Sequence, residues 1–432
     1  MDSKPVLIRD GALLTSTGWV NPGYVVLKDG LISEIGHGVP PQSWQDVCEI
    51  FSVSGHAVLP GFVNGHTHFS QTFMRGLAGG RPLLPWLKQL IWPLQGVMSA
   101  EELKLASLLG LVENLRSGVT EVVDHHKVTR TEAHTDAVIA AARVVGLRLK
   151  LARSWNDLGT NAEARDSILQ DLRLLFTKLK GDERIQAANG PLALWRCSED
   201  LLRETHLIAR ENGSFTHFHV AETQDELKMS LDLTGLRPVQ WLARIGVLDE
   251  DTQVVHAVWV DDAEIDLLVS HSALVVSCPV SNAVMGSGAA PLKQMLAKGA
   301  RVRLGTDGPA SNDTQDMLET VKAAINIART VNLDPTVLPP AQALRLAIDG
   351  RVLAVGDRAD VITINLNHPR AVPVQDQDSA VVMCSHGSDV RDVFIAGDCL
   401  LRGGLVQVLD ESSLLQECAK AIVSLRGRAG LA

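Results

Sequence analysis

The feature that most limits what this chain can fold into is a rhythm. From Val58 onward, short runs rich in Val, Ile and Leu alternate with longer amphipathic segments, and the alternation repeats eight times. Short apolar runs bounded by turn residues read as buried strands, and longer stretches with a 3.6-residue period read as helices. The clearest helix opens at Ser99, a good N-cap, with Glu102 three residues on to complete a capping box. Leu105, Leu108, Leu109, Val112 and Leu115 form its apolar stripe, and Gly118 ends it. Eight strands, each followed by a helix, are what closes a (β/α)₈ TIM barrel, and the span suits the usual size of about 250 residues. A doubly wound open sheet is the competing α/β architecture. It would carry a Gly-rich phosphate loop after its first strand, and none is present.

The flanks follow a different pattern. Residues 1–57 read as short strands at 6–9, 23–28 and 31–35, the last two joined by the turn Asp29-Gly30. Strand-like segments return at 360–365, 380–384, 390–395 and 399–402, and a C-terminal amphipathic helix starts near Ser412. The expected architecture is therefore a barrel over 58–351. A small β-sandwich would be built from 1–57 and 352–432.

Composition narrows the function classes. A net charge of -10 argues against nucleic acid or an anionic membrane as the main partner. Six scattered cysteines with no C-x-x-C indicate neither a zinc finger nor a disulfide framework. The N-terminus lacks the basic start and apolar core of a signal peptide, and no apolar run approaches membrane-spanning length. The default expectation is a cytoplasmic protein.

In a closed barrel, reactive groups sit at the carboxyl ends of the strands. Strand one ends in His66-Thr67-His68, and residues two apart in an extended segment point to the same side. Both imidazoles can then reach one metal ion. Strand five ends in His217-Phe218-His219-Val220-Ala221-Glu222, strand six in His256, and strand eight in Gly305-Thr306-Asp307-Gly308. Two imidazoles from strand one, one from strand five and the Asp307 carboxylate would hold a divalent ion. A place remains for water, whose pKa such an ion lowers to roughly 7. Asp307 can also accept the water's proton, Glu222 can serve as general acid, and His256 can polarise the attacked centre. His217 is expected on the opposite strand face from His219, in a structural role. His125 and His126 end strand two, where at most one of two adjacent residues can face inward.

These segments carry a family resemblance. PGFVNGHTH, the HVAE after strand five, VVHAVW and GTDGPASND together resemble the amidohydrolase superfamily. They are most similar to its aminohydrolase branch of S-adenosylhomocysteine, guanine and 8-oxoguanine deaminase-like and s-triazine hydrolase-like enzymes. Pro82-Leu83-Leu84-Pro85-Trp86-Leu87 and Cys278-Pro279-Val280-Ser281-Asn282 also resemble that branch. The resemblance implies His66, His68, His219 and Asp307 as metal ligands, with Glu222 and His256 moving protons. It implies one divalent ion per chain, Zn²⁺ ahead of Fe²⁺, because the lysine that bridges two metals at the end of strand four is missing. A homodimer or larger assembly is likewise implied.

Departures from the family bear on substrate. Its adenosine-processing members have a Glu where this chain has Pro85, and a His shortly after strand four where this chain has Leu192. Both losses count against a nucleoside. Trp86, Trp92, Trp155, Trp195, Arg153, His125 and His126 stand as candidate contacts, and aromatic faces suit a flat nitrogen-rich ring. The leading expectation is a deaminase that attacks an amino-bearing ring carbon of a purine, pterin, pyrimidine or triazine, using hydroxide generated at the metal. Release of chloride or alkylamine from a similar ring is the alternative within enzymes, as is deamination of S-adenosylhomocysteine or methylthioadenosine. A non-catalytic scaffold would need neither the ligand set nor Glu222.

Overall fold

In a computed structural model describing residues 4–431, the eight-fold alternation becomes one parallel sheet. Its strands are β1 (Phe62–Thr67), β2 (Val119–His126), β3 (Arg148–Trp155), β4 (Ile185–Pro191), β5 (Thr216–Val220), β6 (Thr252–His256), β7 (Leu274–Ser277) and β8 (Arg301–Leu304). They lie side by side in sequence order. Helices cover the outside, so β1 and β2 are buried along their whole length. That double burial is why these strands read as apolar runs rather than alternating ones.

The seam between β8 and β1 closes through main chain, with the Asp307 N–H donating to the His66 carbonyl at 2.9 Å. Gly305 makes this approach feasible. A Cβ placed there would lie 2.8 Å from the His66 nitrogen.

Helix Ala100–Arg116 carries the expected capping box between Ser99 and Glu102. It is buried more widely than one stripe requires, because helix Glu411–Arg428 covers a second side. Arg428 pairs with Glu102 and Arg116 with Glu411, which fixes the two helices at both ends.

Strands from both termini build a second, mixed sheet of nine strands. Its long strand Val6–Thr15 pairs antiparallel with Gly18–Lys28 on one side. On the other side it branches, pairing in parallel with Glu49–Ser52 and then with His56–Pro60. The branch turns two arms towards each other, and the rings of Phe51 and Phe394 meet edge to face at 5.0 Å between them. Val6, Ile8, Val25 and Val361 join the same small core. A bidentate pair between buried Arg148 on β3 and Asp360 ties this sheet to the barrel, at 2.6 and 3.1 Å.

Two expectations are corrected here. The stretch read as one strand from Val58 is two. His56–Pro60 pairs antiparallel with Val361–Asn365 in the terminal sheet, and only Phe62–Thr67 enters the barrel. Gly61 is the changeover, and a Cβ there would collide with Thr120 at 2.1 Å. Residues 380–384 lie in helix Gln377–Cys384 instead of a strand. Asp376 caps that helix through the Ser379 N–H, and Val381 and Val382 are buried within the main core. Tertiary packing and the cap there override the β preference of the valines.

Gly305→Ala should force β8 away from β1. Overpacking of this kind costs about 1–3 kcal/mol. The expected result is a lowered melting temperature together with reduced metal content. A variant that melts and loads metal like the wild type would show that the seam relaxes freely.

Candidate active site

Four strand ends deliver their side chains to one point. The Oδ1 of Asp307 lies 3.3 Å from the Nε2 of His66 and 3.2 Å from the Nε2 of His68. The Nε2 of His219 is 3.3 Å from that of His68. His66 with His68 and Asp307, His66 with His219 and His256, and His68 with His125 and His219 each bring ligating atoms within 4.8 Å of one another. The chain reaches this point through residues in the left-handed region, with φ of +55° at Ala221, +74° at His256 and +62° at Asp307. Non-glycine residues rarely adopt that conformation, and it is held here by the surrounding strands.

The hydrogen bonds behind the imidazoles fix where their protons sit. The Nδ1 of His68 faces the His125 carbonyl at 2.8 Å, and that of His219 faces the Leu192 carbonyl at 2.7 Å. A carbonyl only accepts, so both Nδ1 atoms carry hydrogen and both Nε2 atoms present lone pairs. His66 reaches the same state by a relay. The Nδ1–H of His217 donates to Gln253 Oε1 at 2.9 Å, leaving the His217 Nε2 to accept from the Nδ1–H of His66 at 2.7 Å. Three Nε2 lone pairs therefore converge beside the Asp307 carboxylate. The Nε2 of His66 is buried and has no hydrogen-bond partner, as a metal ligand would be. Burial keeps these imidazoles neutral, holding His66 down at about 3 and His68 at about 4 and driving His219 well below its ordinary value. The residues fit a divalent ion.

Asp307 is steadied on its far side by the hydroxyls of Ser281 and Ser311, which donate to Oδ2 at 2.6 and 3.0 Å. Glu222 lies across the site, with its Oε2 3.6 Å from His256 Nε2 and its Oε1 accepting from Ser287 at 3.1 Å. His256 donates from Nδ1 to Asn282 Oδ1 at 2.9 Å and stacks on His219 at 5.5 Å between centroids.

These groups form the floor of a cavity of ≈ 590 Å³, ample for a small heterocycle. Trp86, Trp92, Trp195 and Trp259 line its walls, as do Pro85 and Leu192. His125, His126 and Arg153, expected as substrate contacts, are not in this lining. His125 points into the barrel beneath the ligands and spends its Nε2 on the Gly190 carbonyl at 3.0 Å. His126 faces outward to Thr135 at 3.2 Å. Arg153 also faces outward and pairs with Glu163 and Asp171 at 2.6 and 2.7 Å. Trp155 is buried, donating to Asn189 at 2.8 Å. His217 shares the inward face with His219, so placing it on the opposite face was an error of register: residues two apart point the same way.

The sequence reading also passed over Lys127, Trp259 and Ser287, all of which line the cavity. Lys127 directly follows the His125-His126 pair at the barrel rim, which was the available signal. Burial draws its ammonium down to about 8, against the attraction of Asp307, Glu222 and Asp124. Glu226, also on the wall, accepts from the Glu222 N–H at 2.7 Å, and burial pushes its carboxyl up to about 8.

Comparisons with known proteins agree with this geometry. The model of the amidohydrolase family matches residues 57–400. The chain is 34% identical to a 5'-deoxyadenosine deaminase of Methanothermobacter thermautotrophicus, an alignment covering 99% of this chain and 100% of that protein. It is 32% identical to a 5-methylthioadenosine/S-adenosylhomocysteine deaminase of Thermodesulfovibrio yellowstonii, over 96% and 97% of the two chains. Among solved structures, an adenosine deaminase from Xanthomonas campestris with bound zinc superposes with a TM-score of 0.91 at 26% identity, covering 98% of each chain. A zinc complex of atrazine chlorohydrolase from Arthrobacter aurescens gives 0.88 at 23% identity, over 96% and 100%, a likeness of fold alone. No helix among the described residues is long and apolar enough to cross a membrane. The chain belongs to the amidohydrolase family, as a hydrolase of carbon–nitrogen bonds with a histidine-rich divalent-metal site and a hydrolytic deaminase of N-heterocycles.

Proposed function

We propose that this chain replaces the exocyclic amino group of a purine, pterin, pyrimidine or triazine-type free base with oxygen, releasing ammonia. The observation that carries the reading is the convergence of three imidazole lone pairs and a carboxylate beside Glu222, on the floor of an aromatic-walled cavity. His66, His68, His219 and Asp307 would hold one divalent ion, Zn²⁺ ahead of Fe²⁺. When bound, it supplies Lewis acidity that makes water a nucleophile near neutral pH.

The chain's own residues account for the protons. Asp307 takes one proton from the attacking water as its oxygen adds to the amino-bearing ring carbon. Glu222 gives a proton to the adjacent ring nitrogen, and His256 in its imidazolium form, with Nδ1–H held by Asn282, donates a hydrogen bond from Nε2 to the new oxygen. The proton on Asp307 then passes to the amino group, the carbon–nitrogen bond breaks with its electron pair on nitrogen, and ammonia leaves. The hydroxyl proton of the addition product returns to Glu222 as the ring carbonyl forms, so both carboxyl groups end as they began.

A free base is favoured because Pro85 and Leu192, both on the cavity wall, stand where the family resemblance implies the Glu and His of adenosine-processing members. The second reading, a nucleoside, is supported by the related deaminases of 5'-deoxyadenosine and 5-methylthioadenosine/S-adenosylhomocysteine.

Glu222→Gln should lower kcat by about 10²–10⁴-fold while metal content stays at the wild-type level. A loss of metal to match would move Glu222 from proton transfer to ligation. His217→Phe breaks the relay that sets the His66 tautomer, and metal affinity should fall about 10–100-fold, measured by competition with a chelator. Unchanged affinity would leave His217 without that role. Across a panel of guanine, isoxanthopterin, cytosine, melamine, adenosine and 5'-deoxyadenosine, ammonia should come from a free base. A nucleoside turned over with the highest kcat/KM would overturn the argument from Pro85 and Leu192, and chloride release from a halogenated triazine without any ammonia would replace the leaving group.

A further inference from the structure

Lys127 stands at the barrel rim immediately after β2, on the wall of the cavity. Among the described residues it makes no hydrogen bond, and no carboxylate oxygen lies within 4.0 Å of its ammonium. Lys150, also partly buried, pairs by contrast with Glu121 at 3.5 Å. A partly buried ammonium without a direct ion-pair partner is poorly compensated unless a ligand supplies one.

The nearby acids attract Lys127 from a distance, and none pairs with it directly. Asp307 faces His66 and His68 with one oxygen and takes two hydroxyls on the other. Glu222 accepts from Ser287, Asp124 from the Phe69 N–H, and Asp225 sits exposed at the mouth. A second cation adds to the imbalance. The Arg196 guanidinium, itself buried, lies 5.5 Å from the Trp92 ring centroid and 5.3 Å from that of Trp195, both of them cavity walls. Its hydrogen bonds go only to the main-chain carbonyls of Leu158 and Thr160. One side of the cavity thus carries two cations that make no direct ion pair, beside the tryptophans.

We infer that Lys127 is a specificity-determining residue that pairs with a negatively charged oxygen on the substrate ring, either an appended carboxylate or an ionised ring oxygen. The inference rests on the free-base reading above and supplies what that reading lacks, a polar feature to replace those lost at Pro85 and Leu192.

The test uses zinc-loaded protein and matched ligands that differ in one charge: pterin-6-carboxylate against 6-hydroxymethylpterin, and cytosine-5-carboxylate against 5-hydroxymethylcytosine. Dissociation constants are read by quenching of tryptophan fluorescence. For at least one ring the wild type should prefer the carboxylate by about 10–100-fold, the range for a hydrogen bond to a charged group. Lys127→Met should collapse the preference towards one while leaving the uncharged ligand's affinity in place, and Lys127→Arg should retain it. Barbiturate against uracil, at pH 7 where only the first ring is ionised, repeats the comparison for a ring oxygen, and a preference there that Lys127→Met abolishes assigns the second source. No preference for charge in the wild type, a preference that survives in Lys127→Met, or no binding of any ligand overturns the inference. Because the readout is a ratio of affinities, it is separate from ammonia release. A preserved ratio with no ammonia from any ring would sink the deaminase reading and leave Lys127 as an anion anchor.

Discussion

The structure depends on an encounter that would be repulsive by itself. One carboxylate oxygen of Asp307 stands 3.2–3.3 Å from two imidazole nitrogens whose hydrogens are on the far side of their rings. Lone pairs facing a carboxylate in a buried setting cost free energy unless a cation lies among them. The surroundings are arranged to impose that encounter. The main-chain bond from Asp307 to His66 closes the barrel and sets the separation, and Gly305 lets the two strands approach. His217 and Gln253 prevent His66 from switching tautomer to relieve the repulsion.

What could be read in the sequence follows from which interactions are local. Strand and helix alternation depends on residue spacing, so the barrel and the strand ends bearing His66, His219, His256 and Asp307 were legible. The capping box at Ser99 was legible for the same reason. The break at Gly61 was not, because it reflects Thr120 on a neighbouring strand and an antiparallel partner from the other end of the chain. Helix Gln377–Cys384 was missed since its valines are decided by burial in the core. Arg153 and His126 misled because a polar residue near a strand end can face either way, and these face acids and hydroxyls under the outer helices.

The chemistry and the selectivity of the cavity occupy different parts of the fold. Groups that move protons or would hold metal come from strand ends, where the backbone is fixed by ladders on both sides. Much of the wall comes from the short helical turn at Leu83–Trp86, from Leu192, Ala193 and Trp195 after β4, and from the residue after β2. Pro85, Leu192 and Lys127 all lie on those walls, and wall residues can change without moving a ligand. A reaction shared with relatives and a substrate of its own are compatible on this scaffold.

The terminal sheet has a consequence for how the protein is made. Strand His56–Pro60 finds its antiparallel partner Val361–Asn365 only near the end of the chain, and it leads through Gly61 directly into β1. On the ribosome its edge emerges early and waits, unpaired, while the whole barrel is synthesised. Apolar strands with open edges are templates for wrong partners. The nascent chain is therefore most exposed to aggregation in the interval before its last strands appear, and its dependence on chaperones should concentrate there.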